Sequence, residues 1–179
     1  MTGVNLQGAN LQGANLKNAI MERANLQGAN MQYIDMERSR LQNASMQGVN
    51  MQGANLKNAK MQRADLSLAN MQNAYLHKTN LTDANLTGTD LTGVVLWRCI
   101  GDGKRIKNID GLLYPIAYTS EVLQIGCINH TFEEWKNFTE EEIYRMDGDD
   151  ALEFYKEHKD YILTTIIQDP AQCMNAQIT

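Results

Sequence analysis

The sequence predicts a solenoid of square cross-section, built from short extended segments and followed by a small acidic α+β domain. Three observations predict it. Every fifth residue from Leu6 through Leu96 is Leu or Met. A slower, twenty-residue period runs through the glycines of the same stretch. Both periods stop after Leu96, where the charge balance also changes sign.

The five-residue period sets the local structure. It matches neither the helical repeat near 3.6 nor the alternation of a continuous strand, but it fits short extended segments joined by turns. Two residues before each Leu or Met stands a small or β-branched side chain, usually Ala, and between the two stands usually Asn or Asp. On an extended backbone, alternate positions share a side. Ala and Leu/Met therefore face inward and Asn/Asp faces out, and the other two residues turn the corner. Gly and Asn recur at the second residue after Leu/Met, where a corner needs positive φ.

The slower period sets the number of sides. Gly follows two residues after Leu6, Leu11, Leu26, Met46, Met51, Leu86 and Leu91. Numbered in units of five, these positions leave a remainder of 0 or 1 on division by four, whereas division by three scatters them. Four pentapeptides therefore make one coil.

The recurring units, as in Ala9-Asn10-Leu11-Gln12-Gly13 and Ala54-Asn55-Leu56-Lys57-Asn58, resemble the pentapeptide-repeat family over residues 4–98. The resemblance implies a right-handed quadrilateral β-helix of nearly five coils, roughly 23 Å long at one strand spacing per coil. Met fills seven central positions, among them Met31, Met36, Met46 and Met51, and is expected to act there as an adaptable core residue.

With the period fixed, side chains fall on faces. Two faces carry columns of amides, Asn10, Asn30, Asn50, Asn70 with Asp90, and Gln12, Gln32, Gln52, Gln72, which are expected to hydrogen-bond along each column. The other two carry all nine basic residues of the solenoid. Lys17, Arg38, Lys57, Lys78 and Arg98 lie on one; Arg23, Arg40, Lys60 and Arg63 lie on its neighbour. Arg40 and Lys60 share a column on adjacent coils, so their Cα atoms should lie about 5 Å apart. Glu22, Asp35, Glu37 and Asp83 share these faces and can compensate the cations locally. The candidate binding residues are Arg23, Arg38, Arg40, Lys60, Arg63 and Lys78, facing an acidic partner. Aromatic residues among them are limited to Tyr75, His77 and Trp97, so nucleic acid is not the expected partner.

Beyond the repeat, Arg105–Ile109, Leu112–Tyr118 and Glu121–Cys127 read as strands. Thr131 with Glu134, and Thr139 with Glu142, have the spacing of capping boxes, and each should open a short helix. A longer helix follows Asp149 or Asp150, with Leu152, Tyr155, Tyr161 and Ile162 among its apolar residues. The division is thus residues 1–98 as the solenoid and 99–179 as an acidic capping domain that covers the last coil and its exposed edge. The segment from Gln124-Ile125-Gly126-Cys127 through His130-Thr131 to Glu134-Trp135 is similar to terminal domains of some phage-encoded proteins.

Charge and composition narrow the function. Residues 1–98 hold nine Lys/Arg against six Asp/Glu, and residues 99–179 hold seven against fifteen. No leader-like or membrane-spanning run is read, and the three cysteines, Cys99, Cys127 and Cys173, form no disulfide framework; a cytoplasmic location is expected. Cys127-x-x-His130 has too few companions for a zinc site and reads as a buried thiol beside a strand-end histidine. No cofactor, metal or catalytic residue is expected. The expected function is non-enzymatic binding of a protein, as an inhibitor or titrant encoded by a phage. An enzyme sited in the C-terminal domain, with Cys127 and His130 as nucleophile pair, is the third reading. The second comes from the resemblance: some pentapeptide-repeat proteins imitate DNA and bind type II topoisomerases such as gyrase. That mimicry needs a negative prism, and this one carries a net +3.

Overall fold

The computed structural model describes residues 2–109, 112–120 and 122–171. From Thr2 to Ile100 the chain winds into a solenoid in which each residue between a small inward side chain and the central Leu/Met bridges, in parallel, the residue twenty positions on: Asn5 with Asn25, Asn10 with Asn30, and so on to Asn80 with Ile100. Four pentapeptides therefore complete one coil.

Hydrogen-bond accounting explains the consensus residue by residue. The central N–H donates to a carbonyl of the next coil, as Leu6 does to Asn25 at 2.7 Å, and the corner N–H does likewise, as Gly8 does to Gln27 at 2.9 Å. The residue before the centre donates back, as Asn25 does to Val4 at 2.8 Å. The small inward residue closes a four-residue turn, as Ala9 does onto Leu6 at 3.0 Å. One N–H in five, that of the residue after the centre, has no place in this ladder. Asn or Asp supplies it: Asn10 Oδ1 accepts from Gln12 N at 3.3 Å, Asn50 Oδ1 from Gln52 N at 3.2 Å, and Asp90 Oδ1 from Thr92 N at 3.0 Å. These Asx turns are the main work of the polar position. The expected bonding along amide columns is the lesser feature. Gln32 donates to Gln52 at 3.0 Å, but the oxygens of the Asn10 column turn to their own backbone.

Corners complete the coil. All twenty corner residues from Gly3 to Arg98 have positive φ, and twelve of them are not glycine, with φ between 52° and 59°. A positive φ at the third residue of a four-residue turn is the arrangement of a type II turn. Inside, Leu, Met and Ala from Met21 to Leu96 are buried in one continuous core. Thr79 and Thr89 are buried among them and satisfy their hydroxyls on the carbonyls of Leu56 and Leu66, at 2.7 and 2.8 Å.

After Ile100 the chain turns at Gly101, where an added Cβ would lie 1.9 Å from the Ile106 carbonyl oxygen, so no larger residue fits. Four strands follow as an antiparallel meander: β1 Lys107–Ile109, β2 Ile116–Tyr118, β3 Val122–Ile125 and β4 Ile128–Thr131. They are shorter than the sequence suggests; Leu113 and Tyr114 lie in a bend, and Glu121 is outside the described residues. β4 replaces what reads in sequence as a strand end. Helix α1, Phe132–Asn137, is capped by Thr131, and α2, Glu140–Gln168, by Thr139, each with the reciprocal bonds of a capping box. The Thr131 and Thr139 backbone N–H groups hold the Glu134 and Glu142 carboxyls below their ordinary value. α2 breaks at Asp147 and Gly148, the latter at φ 66°, so its second part begins where the longer helix is expected. Tyr161, expected among its apolar contacts, is exposed.

The sheet lies across the last coil. Its alternation sends Ile116, Tyr118, Leu123 and Ile125 into a second core with Trp135, Ile143, Phe154 and Ile162. The opposite face turns to the solenoid along one cross-strand row, in which Asn108 pairs with Ala117, Ala117 with Gln124, and Gln124 with Asn129. The amides of this row take up groups that a further coil would have engaged. Gln124 Oε1 accepts from Leu96 N at 2.6 Å, Asn129 Nδ2 donates to Val94 O at 2.9 Å, and Asn108 Nδ2 donates to Cys99 O at 2.7 Å.

Three substitutions test this account by urea unfolding. Leu68 is an exposed corner residue at φ 58°, so Leu68→Gly should stabilise by roughly 1 kcal/mol. Leu56→Ala should cost about 3 kcal/mol through a core cavity. Gln124→Ala should cost about 2 kcal/mol, because it strands the buried Leu96 N–H; an unchanged midpoint would refute the amide row as a structural cap.

Candidate interaction surface

The six cations singled out in the sequence are all exposed, but they are not brought together as one patch. Arg23, Arg38, Arg63 and Lys78 stand on left-handed corners, as does Arg98. A long side chain is disfavoured there by about 1 kcal/mol relative to glycine, and Asn18, Asn43 and Asn58 show what the fold otherwise places at these corners. Arg40 and Lys60 bridge each other on adjacent coils and occupy the position elsewhere held by the Asx residue. Five corner cations and two displaced Asx turns are choices that the solenoid itself does not require.

Compensation is uneven. Arg40 meets Glu22 at 2.6 Å, Arg63 meets Asp83 at 3.5 Å, and Arg38 meets Glu37 at 3.6 Å. Lys17 lies between Asp35 and Glu37, at 3.2 and 3.3 Å, and hydrogen bonding to Asp35 foremost raises its pKa. Asp65 accepts from Ser67 and Asn85, and Asp90 from Thr92 and Gln72. All six carboxylates of residues 2–98 are thus engaged within the solenoid. Arg23, Lys57, Lys60, Lys78 and Arg98 have no carboxylate in ion-pairing distance among the described residues.

One cluster went unrecognised in the sequence. Tyr75, His77 and Trp97 come together with Lys57, Lys78 and Arg98 on the two coils nearest the sheet. Lys57 lies over Tyr75 at 5.4 Å from the ring centre; Lys78 and Arg98 each lie 5.2 Å from that of Trp97. His77 sits between the rings, 6.4 Å from Tyr75 and 5.8 Å from Trp97. The available signal is the twenty-residue spacing of Lys57, His77 and Trp97, and of Asn58, Lys78 and Arg98, which stacks each set into a column. Burial first, and the charge of Lys57 second, lower the His77 pKa.

In the C-terminal part, Cys127 corrects the sequence reading: it is exposed at the β3–β4 turn, not buried. His130 packs edge-on to Phe138 and Trp135 and lies 3.4 Å from Glu134. Cys99 is buried, which pushes its thiol pKa up, and Cys173 lies outside the described residues. Between α2 and the β3–β4 hairpin is a cavity of about 140 Å³, with Ile125, Trp135, Met146 and Phe154 among its walls. Tyr114 closes part of its rim by donating to Asp147 at 2.8 Å; burial foremost pushes the Tyr114 pKa up to about 12. Among the described residues no group of His, Cys, Asp and Glu is arranged to hold a metal ion, and no helix is long and apolar enough to cross a membrane.

A repeat solenoid with a surface of stacked columns is the class of protein that this geometry defines. A profile of pentapeptide repeats matches in eight copies over residues 1–35, 19–58, 34–73 and 59–98; the chain belongs to the pentapeptide-repeat family. Solved structures similar to it include a pentapeptide repeat protein from the Arabidopsis thaliana thylakoid lumen, 27% identical over 51% of this chain and 61% of that one, with a TM-score of 0.40. HetL, involved in heterocyst differentiation regulation in a Nostoc cyanobacterium, is 30% identical over 53% of this chain and 57% of its own, with a TM-score of 0.28. QnrB1, a plasmid-mediated fluoroquinolone resistance protein, is 18% identical over 55% and 62%, with a TM-score of 0.26. The chain thus spans about three fifths of these neighbours. No curated protein matches the sequence.

His77 gives the surface a pH signature. Its folded pKa lies below the unfolded value of 6.5, so the unfolded chain binds the proton more readily. The stability it contributes is present above pH 6.5 and lost as pH falls through the folded pKa. Thermal midpoints measured at about pH 7.5 and pH 5.5 should fall further in the wild-type chain than in His77→Gln; equal falls would show that His77 does not contribute.

Proposed function

We propose that the chain is a non-enzymatic binding protein that presents a rigid solenoid surface to a protein partner. Residues 1–98 act as a right-handed four-sided prism and residues 99–179 as a separate acidic lid. The observation that carries this reading is the placement of Arg23, Arg38, Arg63, Lys78 and Arg98 on left-handed corners, where folding alone favours Gly or Asn. The prism backbone is already fixed by its ladder, so docking on it loses little further order. The partner is acidic at the contact, and Arg23, Arg38, Arg40, Lys60, Arg63 and Lys78 are the residues facing it. The role we assign to it is cytoplasmic inhibition or titration of a host protein by a phage-encoded chain.

Topoisomerase binding through DNA mimicry is less well supported. A mimic offers rows of free carboxylates, whereas the solenoid carboxylates here are engaged by Lys17, Arg38, Arg40, Arg63 and neighbouring polar groups. Micromolar protein should neither inhibit nor protect gyrase in a supercoiling assay.

Capture from a bacterial host lysate tests the main reading. The wild-type chain should retain a discrete protein, and a variant carrying Arg40→Glu, Lys60→Glu and Arg63→Glu should lose it. Failure of the wild-type chain to retain any protein would refute the binding role; retention by the variant would move it to another face.

A further inference from the structure

We propose that the strip formed by Lys57, Lys78 and Arg98 with Tyr75 and Trp97 is the docking surface for a short acidic segment of a protein partner. This deepens the binding role proposed above and rests on it, but it moves the contact to the coils nearest the sheet.

Charge is the first argument. Lys57, Lys78 and Arg98 have no carboxylate in ion-pairing distance among the described residues, whereas Arg38, Arg40 and Arg63 each have one. Face columns explain the difference. Above the strip the same face carries Asp35 and Glu37, which engage Lys17 and Arg38. Below them the equivalent positions are Asn55, Tyr75 and Val95, and Lys57, His77 and Trp97. Three positive charges are thus left without an internal counter-charge on one short stretch of surface.

Preorganisation is the second argument. A free lysine or arginine loses rotamer freedom on binding an anion, but these three already rest against ring faces, Lys57 on Tyr75 and the other two on Trp97. The rings hold the cations in place, and Lys78 and Arg98 remain exposed while Lys57 is half-buried. Assembly of the strip goes against local preference: Tyr75 and Val95 displace the Asx residue that accepts the fifth N–H, and Lys78 and Arg98 stand at positive φ in the column where Asn58 also stands.

The same geometry selects the occupant. A single-stranded nucleic acid would need open ring faces for its bases, and both cations at Trp97 already lie on that ring. A phosphate track would also need positive charge beyond three residues, and the adjoining part of the face is neutralised by Asp35 and Glu37. Two or three carboxylates of an extended peptide match the strip in number and need no ring to be vacated.

Fluorescence anisotropy of labelled deca-glutamate with the full chain, at about 50 mM salt, tests the proposal. The variant Lys57→Gln, Lys78→Asn, Arg98→Asn should bind on the order of tenfold more weakly than wild type. Asn already fills this corner at Asn58, and an unchanged circular-dichroism melt verifies that the variant folds. Lys136→Gln, Arg145→Gln, Lys156→Gln, which removes the same charge from exposed helix cations already paired with Glu133, Glu141 and Glu140, should change binding by less than about twofold. Equal affinity of the strip variant and wild type would overturn the proposal, as would tighter binding of an oligo(dT) of about the same charge. The two readings fail separately. Strip-dependent binding supports the proposal even if lysate capture fails, and only the broader role then falls. Binding indifferent to the strip overturns the proposal while leaving capture through other faces intact.

Discussion

The structure depends on a backbone ladder that repeats every twenty residues and engages four of every five N–H groups. From that count the consensus follows. Only the residue after each central Leu/Met has an N–H outside the ladder, and an oxygen one position before the centre is placed to accept it. Asn and Asp therefore recur at a position whose side chain never enters the core. The same ladder requires a left-handed corner every fifth residue, which Gly and Asn tolerate best. Leu and Met fill the interior because each coil must stack on the next at one strand spacing, and unbranched or γ-branched side chains adapt to that fixed interval.

A ladder that satisfies each coil through its neighbours leaves its last coil unsatisfied. The chain meets this with side-chain amides in place of another turn of backbone. Asn108, Gln124 and Asn129 stand in one row across the meander, and they reach Cys99 O, Leu96 N and Val94 O. An amide side chain has the donor and acceptor of a peptide group, so the row reproduces part of the edge that a further coil would present. Ala117 in the same row is small enough for the sheet to approach the core, where it packs with Ile106 and Val122. A repeat whose edge would otherwise pair with a second chain is covered in this way.

The repeat, the coil length and both capping boxes were legible because each rests on local spacing. What was not legible depends on contacts between distant segments. Nothing around Gln124 distinguishes a buried amide facing Leu96 from a polar residue on an open strand. β4 escaped notice because Ile128-Asn129-His130-Thr131 has only one apolar residue, and its pairing is dictated by β3. Cys127 reads in sequence as a buried thiol, but the tight turn from β3 to β4 leaves it exposed outside the sheet. On the solenoid Glu22, Asp35, Glu37 and Asp83, legible as compensating carboxylates of the charged faces, do pair there with Lys17, Arg38, Arg40 and Arg63, but which cation each one meets was not legible. Whether Arg40 finds Glu22, eighteen positions earlier, depends on side-chain reach across a coil that the column pattern alone does not give.

The departures from the consensus are informative because the consensus has a physical cause. Where an Asx residue gives way to Arg40, Lys60, Tyr75 or Val95, a local hydrogen bond is lost; where a corner is Arg or Lys, backbone strain is accepted. Sequences depart from a fold's local rules chiefly where something other than folding sets the residue. The amide faces obey those rules almost throughout, and the departures gather on the two remaining faces. Within those faces, Arg38, Arg40 and Arg63 are answered by carboxylates of the solenoid, whereas Lys57, Lys78 and Arg98 are answered only by aromatic rings. Rings leave the charge of a cation uncancelled. The uncancelled charge of the strip therefore stands on the coils nearest the sheet, whose four strands hold no Asp or Glu, whereas the acidic residues of the C-terminal part gather on α1 and α2.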